Sequence, residues 1–138
     1  MGIEIYFQGY SADGPHGVSR DDVLSLFILH EATADQFGFY PLVYDGEAQC
    51  HLTLQIRADI AEVVCIHSPA DHRALWQAMY ELLKTGPYVL FAPGGNQPLI
   101  GRIEVRSWLP EDMVASLGEP ALAQAPEDMQ RFLFGDTG

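Results

Sequence analysis

The stretch that decides the fold is Gln49-Cys50-His51-Leu52-Thr53-Leu54-Gln55-Ile56, in which polar and apolar side chains alternate at every position. A period of two is that of a β-strand, so the apolar residues point to the core and the polar ones to solvent. Asp45-Gly46, just before this stretch, is typical of a tight hairpin turn. The pattern therefore predicts an antiparallel hairpin that is wet on one side.

Further strands are predicted on both sides of this hairpin. Residues 3–8 alternate in the same way, with Ile5 and Phe7 on the apolar face. Residues 37–44, 63–66 and 88–92 have the composition of strands and are bounded by turn residues. Weaker strand candidates lie at residues 99–100 and 121–124.

Helices are predicted from their capping residues. Ser19 and Asp22 form a capping box, and apolar residues at helical spacing extend that helix to about residues 30–31. The run Ser68-Pro69-Ala70-Asp71 combines an N-cap, a proline at the first helical position and an acid, and predicts a second helix that ends at Gly86. Two short helices are predicted to follow, one between Pro110 and Gly118 and one between Pro126 and Gly135.

The order of these elements indicates the fold class. Strands that follow one another along the chain and are flanked by helices are typical of α+β proteins. We expect a mainly antiparallel sheet of about five strands, with helices packed on one face and the other face partly open. A chain of 138 residues, 48% of them hydrophobic, is expected to form a single domain over residues 1–138.

The composition excludes several classes of protein. The chain has 19 acidic and 7 basic residues and a formal charge of −12, so no basic stripe is available to bind nucleic acid. No apolar run is long enough to span a membrane, and the first residues do not form a signal peptide. Cys50 and Cys65 are too few for a disulfide framework. We therefore expect reduced thiols in a cytoplasmic protein.

The acidic residues allow two interpretations. Seven are predicted to lie in first turns of helices, where they complement the helix dipole: Asp21, Asp22, Asp71, Glu111, Asp112, Glu127 and Asp128. Five others precede residue 50, a region in which Arg20 is the single basic residue: Asp13, Glu31, Asp35, Asp45 and Glu47. This second group forms either a solvated acidic face or a docking surface for a basic protein.

The sequence carries no strong catalytic signature. His67 and His72 flank Asp71, but their spacing matches no common zinc pattern, so we expect no metal and no cofactor. The glycines between Gly9 and Gly17 lack the spacing of a phosphate-binding loop, and no nucleophile motif is present. The chain is therefore not expected to be an enzyme.

One alternative is a small-ligand-binding protein or an enzyme that uses the open face of the sheet. His51 and Gln55 point from the polar side of the predicted hairpin, and His67 and Asp71 would have to converge on them to form a pocket. A second alternative is an adaptor subunit for a protein that is not a toxin.

Several segments resemble a known group of proteins. They are Tyr44-Asp45-Gly46 with the strand at Cys50, Asp71-His72-Arg73-Ala74-Leu75-Trp76, Tyr88 to Gly95, Trp108 to Met113, and Leu117-Gly118-Glu119-Pro120. Over residues 38–134 the pattern is similar to small acidic bacterial immunity proteins of polymorphic toxin systems, which act in contact-dependent inhibition or type VI secretion. The resemblance implies a protein that neutralises a cognate toxin domain by stoichiometric occlusion.

The resemblance carries over no catalytic or binding residue, so candidate contacts come from the sequence itself. Many toxins that attack nucleic acid are basic, and an acidic inhibitor associates with them rapidly. The candidates are acids of the first half of the chain with neighbouring aromatic residues and His51: Tyr10, Asp13, Glu31, Asp35, Tyr40, Tyr44, Asp45, Glu47 and His51. The expected partner is a basic toxin domain, such as a nuclease, rather than nucleic acid or a membrane. Phe39 is a further candidate for an apolar anchor.

Overall fold

The computed structural model describes residues 4–27, 38–93 and 97–135. Its strands are β1 (Glu4–Ser11), β2 (Gly14–Pro15), β3 (Val18–Ser19), β4 (Tyr40–Tyr44), β5 (Glu47–Arg57), β6 (Ile60–His67), β7 (Tyr88–Phe91), β8 (Leu99–Ile100) and β9 (Ala121–Leu122). Its helices are α1 (Arg20–Leu26), α2 (Arg73–Thr85), α3 (Glu111–Leu117), α4 (Glu127–Phe134) and a 3-10 helix (Ile103–Trp108).

The strands form one sheet in the order β4-β5-β6-β1-β7-β8-β9, with β2 paired to β1 and β3 paired to β6. All pairs are antiparallel except β8 with β9. The α+β class and the mainly antiparallel sheet are confirmed. The sheet has more strands than the five expected, because four two-residue strands extend it. Two of these, β8 and β9, lie at the weaker candidates, whereas β2 and β3 are too short for hydrophobic periodicity to detect.

The main core lies on one face of the sheet. Ile5 and Phe7 of β1 are fully buried there, in one cluster with side chains of α1, α2 and α4. Helix α2 contributes a stripe at helical spacing, with Leu75, Met79 and Leu82 among its buried residues. This is the face that the sequence predicts to be covered by helices.

A second, smaller cluster lies on the opposite face at one side of the sheet. Val89 of β7 and Ile100 of β8 pack there against Val105 and Leu109, which belong to the 3-10 helix and the residue after it. Helix α3 joins this cluster through Met113. The expectation that helices cover one face is therefore wrong for β7 and β8. Over β5, β6 and the start of β1, no helix among the described residues covers the opposite face, and we call this part of the sheet the open face.

Two helix boundaries differ from the sequence prediction. Helix α2 begins at Arg73 and not at Pro69, because Ser68 has a positive φ of 53° and His72 is the residue that caps the helix. Asp71 consequently lies outside the first turn and does not complement that helix dipole. Helix α1 begins at the predicted Ser19 cap but ends at Leu26, four or five residues early.

Gly9 in β1 and Gly17 just before β3 have a packing role. A Cβ atom on Gly9 would lie 1.7 Å from the carbonyl oxygen of His16, and one on Gly17 would lie 1.9 Å from that of Ala61. These glycines allow neighbouring backbones to approach closely. Within the described residues, no helix is both long enough and apolar enough to cross a membrane.

Candidate functional site

Polar side chains of three adjacent strands meet on the open face of the sheet. The register places Thr53 of β5, Cys65 of β6 and Tyr6 of β1 side by side. The next row consists of His51, His67 and Glu4. We call Glu4, Tyr6, Thr53, Cys65 and His67 the open-face cluster. These strands are far apart in the chain, so the sheet register alone brings the cluster together.

The side chains of the open-face cluster are joined by hydrogen bonds. Thr53 Oγ1 lies 3.0 Å from Nε2 of His67, and Nδ1 of the same ring lies 3.5 Å from Oε1 of Glu4. The Tyr6 hydroxyl donates a 2.7 Å hydrogen bond to the other carboxylate oxygen of Glu4. That bond holds the pKa of Glu4 below its usual value and raises the pKa of Tyr6 to about 12. The carboxylate is therefore anionic over the neutral range.

Cys65 is the least accessible member of the cluster. It is 6% exposed, and burial raises the pKa of its thiol to about 11. The hydroxyl of Thr53 forms a hydrogen bond with the sulfur that opposes part of this shift. The thiol is thus protonated at neutral pH, which makes it a poor nucleophile unless a cation stabilises the thiolate.

Aromatic rings frame the cluster. The ring centroid of Phe39 lies 5.7 Å from that of His51 and 5.1 Å from that of His67, in edge-on contacts. On the other side, Tyr6 stacks on Phe91 with centroids 5.6 Å apart. The ring of Phe39 thus covers one side of His67, whereas the Tyr6–Phe91 stack borders the cluster on the side of β7.

The order Thr53, His67, Glu4 resembles that of a nucleophile, base and orienting acid. Acyl transfer also requires donors for a developing oxyanion, and the backbone N–H groups beside Thr53 belong to the sheet ladder. The pKa of the Cys65 thiol is also raised, whereas the pKa of an activated cysteine nucleophile is lowered. The arrangement is better suited to holding a cation than to nucleophilic catalysis.

A small cavity of about 200 Å³ lies further along the open face. Gln55 lines it together with Gln8, Arg57 and Glu62, and Arg57 and Glu62 form an ion pair at 3.5 Å. Neither His51 nor His67 lines this cavity. The convergence of His51, Gln55, His67 and Asp71 that a ligand pocket would require does not occur there.

The candidate partner-binding residues do not form one surface. Asp45 and Glu47 are exposed in the β4–β5 turn. Asp13 is exposed in the β1–β2 turn. This turn lies at the opposite end of the sheet, because β1 and β5 run in the same direction and begin at Glu4 and Glu47. The eleven residues of β5 separate the two ends by roughly 35 Å. The coherent acidic surface expected for the first half of the chain is therefore divided.

The aromatic candidates are less accessible than expected. Tyr44 is 2% exposed and belongs to the core, where its ring stacks on His72 at 4.9 Å. Tyr10 and Tyr40 are half-buried against the two hydrophobic clusters. His51 is exposed on the open face. Glu31 and Asp35 lie outside the described residues.

The two histidines that flank Asp71 are separated by the fold. His67 belongs to the open-face cluster, whereas Nδ1 of His72 accepts a hydrogen bond from the N–H of Ala74 and Nε2 lies 3.2 Å from Asp45. Asp71 itself is exposed between them. The fold thus keeps the two rings apart, and Asp71 is not an acid of the first turn of α2.

All arginines of the chain form ion pairs with its own acids. The pairs are Arg20 with Asp21, Arg57 with Glu62, Arg73 with Glu127, Arg102 with Glu104, Arg106 with Glu119, and Arg131 with Asp128. Lys84 lies over the ring of Tyr80, 5.2 Å from its centroid. Acids at the β4–β5 turn consequently have no arginine partner among the described residues.

Sequence analysis missed Glu4, Thr53 and Cys65 as members of a site. Alternation places each of them on a predicted strand, but only the register shows that β1, β5 and β6 are neighbours. The comparisons with family models, with curated proteins and with solved structures find no match for this chain.

Proposed function

We propose that the chain is an immunity protein that binds a basic toxin domain and neutralises it by stoichiometric occlusion. The observation that carries the proposal is the excess of negative charge on the chain. The arginines are engaged in intramolecular pairs, and a formal charge of −12 remains. A basic partner is the class of protein that this charge attracts most strongly.

The docking surface that we propose is the acidic end, which consists of Asp45, Glu47 and Asp71. All three are exposed. The 3.2 Å contact between His72 and Asp45 brings the start of α2 next to the β4–β5 turn, so Asp71 lies near the other two carboxylates. The exposed His51 and the ring of Phe39 adjoin this end on the open face and supply the less polar contacts that tight binding requires.

The proposal is tested with the toxin domain encoded beside this gene. Co-expression should protect cells from that toxin, and the purified chains should form a one-to-one complex in which the toxin is inactive. Survival without a complex, or a complex in which the toxin stays active, would contradict neutralisation by occlusion.

Two matched triple variants locate the interface. The variant D45N/E47Q/D71N removes the charges of the acidic end, and D13N/D22N/D59N removes the same number at the opposite end of the sheet. Asparagine preserves the positive φ of Asp45 (56°) and Asp59 (65°). We expect the first variant to associate about tenfold more slowly and the second to change by less than about threefold. Equal effects would show that the acidic end is not the docking surface.

The two alternative functions remain separable by experiment. A small ligand should raise the thermal midpoint of the chain on its own, with no protein partner present. An adaptor subunit would bind a protein without changing the survival of cells that carry a toxin.

A further inference from the structure

The strongest unassigned feature is the set of metal-ligating atoms in the open-face cluster. A carboxylate oxygen of Glu4, Sγ of Cys65 and a ring nitrogen of His67 all lie within 4.8 Å of one another. Ligand atoms around a tetrahedral zinc ion are about 3.5 Å apart, given bonds of about 2.0–2.3 Å. The three side chains therefore need to close by only about 1 Å, and the half-exposed Glu4 has the freedom to do so.

The two ring nitrogens of His67 face different members of the cluster. Nε2 lies 3.0 Å from Oγ1 of Thr53, and Nδ1 lies 3.5 Å from Oε1 of Glu4. Nδ1 is therefore the nitrogen that is placed to bind a metal ion together with Glu4. With a metal ion on Nδ1, the proton of the neutral ring lies on Nε2, where the hydroxyl oxygen of Thr53 is placed to accept it.

We propose that Glu4, Cys65 and His67 form a zinc-binding site with a fourth position that is open to solvent. A thiolate, an imidazole and a carboxylate are the ligands that zinc takes in proteins, and the soft sulfur disfavours magnesium and calcium. Structural zinc sites are closed by four protein ligands, whereas three protein ligands leave the fourth position to water. This inference does not depend on the proposed toxin partner.

Thr53 is a positioning residue in this site. Metal-bound histidines commonly donate their second ring N–H to a nearby acceptor, which orients the ring and sets the tautomer. Thr53 provides that acceptor, and the ring of Phe39 covers one side of His67. The donor groups are thus arranged before a metal ion arrives.

Binding should release a proton. Cysteine coordinates zinc as the thiolate, so the S–H bond of Cys65 breaks, the Zn–S bond forms and the proton passes to solvent. No electron is transferred.

The test uses the untagged, reduced full chain, first freed of metal with a chelator. Titration with zinc chloride should show saturable one-to-one binding, and titration with cobalt chloride should give a sulfur-to-cobalt charge-transfer band. C65S should lose that band. E4Q should weaken zinc binding at least about tenfold, whereas E47Q, the matched change at an exposed glutamate outside the cluster, should have no effect.

Thr53 is tested separately. T53V should weaken zinc binding by about 10- to 100-fold, and T53S, which keeps the hydroxyl, should restore it. If C65S proves unstable, E4Q and the two Thr53 variants still decide the question, since none of them opens a core cavity. Absence of saturable binding at micromolar zinc, or equal weakening by E4Q and E47Q, would overturn the site.

Discussion

The hydroxyl of Tyr88 donates a 2.6 Å hydrogen bond to the backbone carbonyl oxygen of Ala61. It also accepts a 3.1 Å hydrogen bond from the N–H of Val18, and Tyr88 is fully buried. One side chain thus links β7 to β6 and β3, although β1 separates β7 from β6. The bare Cα of Gly17 leaves the space for this hydroxyl, since a Cβ there would lie 2.8 Å from it.

Replacing Tyr88 with phenylalanine should destabilise the fold. The change removes both hydrogen bonds in a buried location, so we expect the free energy of unfolding to fall by about 1–3 kcal/mol in urea denaturation. The matched control is Y80F, because the Tyr80 hydroxyl donates a 3.0 Å bond to the carbonyl oxygen of Gln124 nearer the surface. Equal losses for the two variants would contradict a special role for the buried hydroxyl.

The protein should lose stability at alkaline pH. Burial raises the pKa of Cys65 from 9.0 to about 11 and that of Tyr88 from 10.0 to about 12. Between those values the unfolded chain loses protons that the folded chain keeps, so this contribution is fully present below pH 9 and declines between pH 9 and 12. Urea denaturation across this range should show that the free energy of unfolding declines with pH, and that above pH 10 it declines less steeply in Y88F. A free energy of unfolding that stays constant up to pH 11 would contradict this prediction.

His72 should contribute to stability as a helix cap. Its Nδ1 accepts a 3.1 Å hydrogen bond from the N–H of Ala74, which would otherwise be unpaired at the start of α2. We expect H72A to lower the free energy of unfolding by about 1 kcal/mol or more. H72N should lose less, because asparagine is also a good capping residue. A larger loss for H72N than for H72A would refute the capping role.

Substitutions in the β5–β6 turn should make the fold more stable. Ala58 and Asp59 have positive φ values of 50° and 65°, which side chains with a Cβ adopt at a cost. Replacing them with Asn-Gly should raise the free energy of unfolding by about 1 kcal/mol. The reverse change in the other hairpin, G46A at a φ of 81°, should lower it by a similar amount. A lower thermal midpoint for A58N/D59G, or a higher one for G46A, would contradict this account of the two turns.

Capture of a basic toxin should depend on salt. Exposed carboxylates attract a partner over a distance that shrinks to about 8 Å at physiological ionic strength. We expect the association rate to fall steeply as salt rises, with a smaller change in the dissociation rate. An association rate that does not respond to salt would indicate an apolar interface and would weaken the case for the acidic end.

Elements with strong local signals were predictable from the sequence. The Ser19 cap is confirmed by the 3.2 Å bond from the N–H of Asp22 to its hydroxyl, and the Asp45-Gly46 turn has the positive φ angles that such a hairpin requires. The buried face of Cys50 and Leu52 follows the alternation of β5. These features depend on neighbours within a few residues, which the sequence displays directly.

The candidate site was not predictable, for a physical reason. Glu4 and His67 are 63 positions apart in the chain, and they become neighbours only because β1 pairs with β6. The start of α2 was predicted wrongly because Ser68-Pro69 has the composition of a helix start, while His72, an uncommon capping residue, performs that role. His72 also stacks on Tyr44, a contact between residues far apart in the chain that no local sequence pattern displays.

The central place of β1 has a consequence for synthesis on the ribosome. This strand is made before its two neighbours, β6 and β7, which end at His67 and Phe91. At about 5–20 residues per second, the nascent strand waits roughly 4–16 s for the second of them. During that time Ile5 and Phe7 have no neighbouring strands to pack with, so their apolar side chains wait for most of the sheet to be synthesised.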